Sequence, residues 1–130
     1  LQSRGLGDVY KRQVCIVAGM PCGIDIEGNR PFKPSVAKRF FSKTEYHWIY
    51  DTENVSVQAE RFFRLWTLKE AYAKATGNGI AAEIHAASYV PDTDSDGLCF
   101  ADSETAAHFQ IKEAEYDGLR IAAVLLDSAF

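Results

Sequence analysis

The strongest constraint in this 130-residue sequence lies between Asn54 and Gly77, where one long amphipathic helix carries a lysine in the middle of its apolar face. Asn54 or Ser56 can cap its start, and Gly77 suits the left-handed residue that ends a helix. That gives roughly 20 residues and about 30 Å. At about 100° per residue, Phe62, Leu65, Trp66, Tyr72 and Ala73 share one face. Lys69 falls within that face, Glu70 lies at its rim beside Trp66, and Lys74 follows one turn beyond Glu70. Arg61, Arg64, Thr67 and Ala71 take the remaining surface. An ammonium on an apolar face is costly without a counter-charge, so a carboxylate from a neighbouring strand or a phosphate must reach Lys69, unless its stem snorkels to water. For Glu70 and Lys74 the plain alternative is a surface i,i+4 ion pair.

The flanks predict an α+β domain with helices packed on a small, mostly antiparallel sheet. Residues 14–18 (VCIVA) read as a strand, broken by Gly19-Met20-Pro21. A second strand follows from Cys22 to Glu27, with Cys22, Ile24 and Ile26 on one face and Gly23, Asp25 and Glu27 on the other. Ser35 can cap a short helix through Phe41, and Thr44 another through about Tyr50. Beyond the long helix, residues 86–90 and 98–101 read as strands around an acidic turn at 91–97. Alternation then starts at Ala107 and runs through Phe109 and Ile111. Asp117-Gly118 marks a hairpin, and the returning strand 119–126 is apolar enough to be central.

Two carboxylates on the same side of one strand repel unless a cation or basic group neutralises them. Asp25 and Glu27 therefore read either as hard oxygen ligands suited to Mg²⁺ or as a strand emerging into solvent. Glu45 stands in the first turn of the helix expected after Thr44, favourable for the helix dipole alone and equally placed for a general base if it faces the same cleft. Asp92-x-Asp94-x-Asp96-Gly97 opens like a calcium loop but has Ser103 at the closing position, and His47, His85 and His108 lack zinc-ligand spacing.

Composition narrows the class. A 47% hydrophobic, 25% charged chain has the makeup of a globular domain. No apolar run approaches the roughly 20 residues of a membrane span, and three cysteines without C-x-x-C spacing point to a reducing compartment, the cytoplasm. A net charge of -4 disfavours a nucleic-acid partner. Within that total, Lys33, Lys38, Arg39, Lys43, Arg61, Arg64, Lys69 and Lys74 make the middle third basic, while the last third is acidic. Met20 is the sole methionine, which makes the chain read as part of something longer, and residues 1–13 (LQSRGLGDVYKRQ) read as a non-native, adapter-like segment before a domain at 14–130.

GIDIE, AKRFFSKTEY and FFRLWTLKEAYAKATGNGI, in this order and spacing, resemble the surfactin-type phosphopantetheinyl transferases from about Val14 to Ile80. The resemblance implies the C-terminal half of that pseudo-dimeric fold, and transfer of 4′-phosphopantetheine from coenzyme A to a serine of an acyl, peptidyl or aryl carrier protein. It implies Asp25, Glu27 and Glu70 as Mg²⁺ ligands, and Lys69 and Lys74 as lysines that bind coenzyme A and stabilise its phosphate charge. Glu45 is implied as the base for the carrier serine, directly or through a metal-bound water, and Trp66 packs beneath. The family's homologous N-terminal half, with its His-Ser-Gly motif, is not found before Val14, so the chain alone is expected to be weakly active or inactive. The rival expectations are a non-catalytic carrier-protein binding domain and another Mg²⁺-dependent phosphate-transfer enzyme.

Overall fold

The computed structural model describes residues 19–28, 30–79 and 86–127. The elements are β1 (Cys22–Gly28), α1 (Pro34–Phe40), α2 (Lys43–Tyr50), α3 (Val55–Thr76), β2 (Tyr89–Pro91), β3 (Leu98–Phe100), α4 (Ser103–His108), β4 (Phe109–Tyr116) and β5 (Leu119–Leu126). They form a three-stranded antiparallel sheet in the order β1-β5-β4 and a separate β2-β3 hairpin, the expected α+β class. The strand expected at 14–18 and the segment 1–13 lie outside the described residues.

The long helix follows its sequence signals closely. Asn54 Oδ1 accepts from the N–H groups of Ser56 and Val57 at 3.0 and 3.2 Å, satisfying donors that a helix start leaves orphaned. Gly77 closes it at φ 76°. β5 is central as expected, and both residues of the Asp117-Gly118 turn have positive φ, 52° and 74°, the primed geometry that matches strand twist.

α3 lies against β1 and β5 on one side and against α2 on another. Thr67 and Ala71, expected at the surface, are therefore buried, at 1% and 0% exposure. The sheet face under α3 is built from Gly23 and Asp25 of β1, paired with Val124 and Ala122 of β5, and from Ile111 of β4 beyond Val124. Thus the polar row of β1 faces the helix and does not emerge into solvent: Asp25 is 4% and Glu27 3% exposed. Gly23 permits this approach, since a Cβ there would stand 2.0 Å from the Ala71 carbonyl oxygen.

Several boundaries differ from expectation for local reasons. α1 starts with Pro34 at its first turn after Lys33, one residue before the expected Ser35 cap, because proline's fixed φ suits that position. α2 is capped by Ser42 and not Thr44: Ser42 Oγ accepts from Glu45 N at 3.2 Å while Glu45 Oε2 accepts from Ser42 N at 2.8 Å. Ala107 and His108 are helical, since Asp102 Oδ2 accepts from Thr105 N at 2.7 Å and starts α4, so β4 begins only at Phe109. β2 takes in Pro91, tolerated in a two-stranded ribbon, and Ala86 precedes it in a turn. Among the described residues no helix is long and apolar enough to cross a membrane.

Candidate active site

Where β1 crosses the C-terminal half of α3, four of the expected site residues come together. Lys74 Nζ donates to Asp25 Oδ1 at 2.8 Å and to the Ile24 carbonyl at 3.1 Å. Glu27 and Glu70 face the same locality: both oppose ionisation of Asp25, and Glu27 also raises the pKa of Glu70. Burial is the largest cause of both shifts, opposed by Lys74, and Asp25 is pushed up to about 6. Arg30, just beyond the strand and not among the expected site residues, donates to Glu27 Oε2 at 2.7 Å. Its spacing of three from Glu27 was the available signal.

The group holds three carboxylates against two cationic side chains. Among the described residues no three His, Cys, Asp or Glu side chains form a ready-made metal cage. Asp25 Oδ2, however, is buried and has no hydrogen-bond partner among the described residues. A buried carboxylate oxygen without a partner is costly and calls for a donor or a cation. Mg²⁺ is commonly bound by one or two carboxylates with water and substrate phosphates completing its shell, and Asp25, with its unpartnered Oδ2 beside Glu27 and Glu70, is a donor of that type.

Glu45 and Lys69 are placed elsewhere. Glu45 is fully buried, and its Oε1 lies 3.2 Å from Lys69 Nζ. The counter-charge for Lys69 thus comes from α2, and not from the strand or a phosphate as the sequence led us to expect. Oε1 also accepts from Tyr89 N at 2.9 Å, while Oε2 closes the capping box. The expected base therefore does not open onto the Asp25 locality; its oxygens are spent on α2, α3 and β2. Lys69 donates to the Ala87 carbonyl at 2.8 Å. Burial pulls its pKa down and Glu45 opposes that shift. Ala87 and Tyr89 escaped sequence reasoning, because backbone groups some twenty residues downstream carry no local signal. Trp66 packs in an aromatic cluster, stacked 6.1 Å from Phe62 and edge-on to Phe40 and Phe41.

Comparison with known proteins gives the family. The family described as "ACPS: 4'-phosphopantetheinyl transferase superfamily" matches residues 21–124. The 4'-phosphopantetheinyl transferase Sfp of Bacillus subtilis (strain 168) is 38% identical over 71 residues, 55% of this chain and 31% of that protein. HetI of Nostoc sp. is 51% identical over 74 residues, 55% and 27% of the two chains. The chain thus spans less than a third of the length of these curated relatives. The holo-[acyl-carrier-protein] synthase of Nautilia profundicola is 30% identical over 100 residues, 73% of this chain and 82% of that one. In fold, the holo-[acyl-carrier-protein] synthase of Helicobacter pylori, solved in complex with coenzyme A, superposes with a TM-score of 0.61 at 20% identity. That superposition covers 81% of this chain and 98% of the other. With the family match running from before β1 into β5, and with the Asp25–Lys74 junction inside it, the chain belongs to the 4'-phosphopantetheinyl transferase superfamily.

Proposed function

We propose that this chain carries the carboxylate and lysine part of an enzyme that moves 4′-phosphopantetheine from coenzyme A to a serine of an acyl, peptidyl or aryl carrier protein, in the cytoplasm. The observation that carries the proposal is the buried Asp25 carboxylate, with one oxygen on Lys74 and the other without a partner among the described residues, beside Glu27 and Glu70. In the reaction the serine oxygen forms a bond to the phosphorus bearing the pantetheine arm. The pyrophosphate P–O bond breaks, adenosine 3′,5′-bisphosphate leaves, and the serine proton passes to water. Asp25, Glu27 and Glu70 would hold Mg²⁺, which when bound supplies Lewis-acid stabilisation of phosphate charge. Lys74 adds a fixed ammonium at the same place, preorganised by Asp25 and the Ile24 carbonyl.

A docking-only reading is favoured by one observation, the service of Glu45 as a capping and ion-pair residue. The two separate in thermal unfolding with coenzyme A, with and without Mg²⁺. A ligand that binds only the folded state raises the midpoint by mass action. We expect coenzyme A with Mg²⁺ to stabilise the chain, and EDTA or Asp25→Asn to remove that response. A midpoint indifferent to coenzyme A and Mg²⁺ would leave the docking module standing and the transferase reading without support.

A further inference from the structure

The resemblance gives both lysines of α3 to the coenzyme, yet their surroundings differ. Lys69 is 2% exposed and enclosed on four sides: Glu45 Oε1 at 3.2 Å, the Ala87 carbonyl at 2.8 Å, and the Phe41 and Tyr89 rings with centroids 5.7 Å from Nζ. Each is a favourable neighbour for a desolvated ammonium: a carboxylate, a carbonyl dipole and two aromatic faces. Tyr89 ties the enclosure together. Its N–H donates to Glu45 Oε1, its hydroxyl donates to the carbonyl of Leu68 at 3.3 Å, and its neighbour Ser88 shares a 2.9 Å hydrogen bond with the α2 cap Ser42. Lys74 is different. Its side chain is 30% exposed, and two of its three donors go to Asp25 and Ile24.

We propose that the two lysines divide their work: Lys74 meets the phosphates of coenzyme A, whereas Lys69 is a positioning residue, sealed by Glu45, Phe41 and Tyr89, that never touches the coenzyme. This division rests on the coenzyme A reading above. Lys69 acts by joining α2, α3 and the start of β2, which fixes the backbone of Glu70 beside it and so the carboxylate that α3 offers to the site. Tyr89 is the second positioning residue, acting through the enclosure of Lys69.

Lysine-by-lysine acetylation with an N-hydroxysuccinimide ester, read by peptide mass spectrometry on the full chain, tests this with acetyl coenzyme A and Mg²⁺ as the probe. We expect Lys69 to react about tenfold more slowly than Lys74, as a buried group reached only by local opening does. Acetyl coenzyme A should protect Lys74 and leave the Lys69 rate unchanged. Tyr89→Leu, which opens the enclosure, should raise Lys69 labelling, and Tyr89→Phe, which keeps the ring, should not. Protection of Lys69 together with Lys74 overturns the division while keeping the coenzyme reading. Protection of neither lysine overturns both, and Lys69 reacting as fast as Lys74 in the free chain overturns the enclosure itself.

Discussion

Asp25 concentrates the tension of the site in one side chain. Burial favours its neutral form, Glu27 and Glu70 reinforce that preference, and Lys74 opposes it, with a net rise from 3.8 to about 6. Between these values the folded chain holds a proton that the unfolded chain has released, so stability falls as pH rises through the interval, by roughly 3 kcal/mol in full. Glu70 is shifted in the same direction. Urea titrations at pH 4 and pH 7 should therefore show the wild type losing stability across the range, with Asp25→Asn losing markedly less. Equal losses in both proteins would remove Asp25 from the account. At this scale the sequence was half legible. A lysine on an apolar face announced that it needed an anion, and two carboxylates on one strand face announced that they needed a cation. The identity of the anion was not legible, because Glu45 meets Lys69 only through the packing of α2 on α3, a contact that no periodicity encodes.

At the scale of elements, the approach of β1 to α3 makes the Asp25–Lys74 contact, and Gly23 is the residue that permits it. A methyl group there would lie 2.0 Å from Ala71 O, 2.5 Å from Ala75 N and 2.8 Å from Lys74 Cβ, two of which are backbone atoms that cannot turn aside. Gly23→Ala must push the strand off the helix, an overpacking cost of about 3 kcal/mol or more. Chemical denaturation should show that loss, and stabilisation by coenzyme A with Mg²⁺ should disappear with it; unchanged stability would mean that β1 and α3 are less closely apposed. The capping box of α2 is milder: Ser42→Ala should cost about 1 kcal/mol in the same measurement. α3 was legible because its cap, its 3.6-residue period and Gly77 agree with one another. α2 was misread by two residues although Ser-x-x-Glu at 42–45 is itself a capping-box pattern, because Thr44 competes as a cap. The last two residues of α4, Ala107 and His108, read as strand because six residues are too few for a helical period to outweigh the alternation that follows.

Across the whole molecule, the β2-β3 hairpin pairs with no strand of the main sheet; Tyr89, Leu98 and Phe100 bury it in the core, and polar contacts fasten it at both ends. At the β2 end Glu45 and Lys69 take Tyr89 N and the Ala87 carbonyl. At the turn, Arg64 of α3 makes a two-pronged contact with Glu113 of β4 at 3.0 and 3.1 Å and donates to the Asp96 carbonyl, while Glu113 Oε2 accepts from Leu98 N. Arg64, Asp96 and Glu113, with Glu60, Glu115 and Arg120, line a groove of about 440 Å³ in which Arg120 pairs with both Glu60 and Glu115. One carboxylate of the acidic final third, Glu113, is thus consumed in fastening the hairpin turn to Arg64 of α3, which the charge count alone did not reveal. The two attachments should be separable. Glu113→Ala leaves Leu98 N without its partner and Arg64 with the Asp96 carbonyl alone, a loss of about 1–3 kcal/mol that falls on the turn end of the hairpin. Amide hydrogen exchange should then quicken about tenfold or more at Leu98 and the adjoining turn, with little change in β1 and β5 and a smaller change at Tyr89, still held by Glu45. Uniform quickening throughout would show instead that hairpin and sheet open as one unit. The Glu45–Lys69 pair would then report on global stability, and not on the local fastening of β2 to the helices that carry the site.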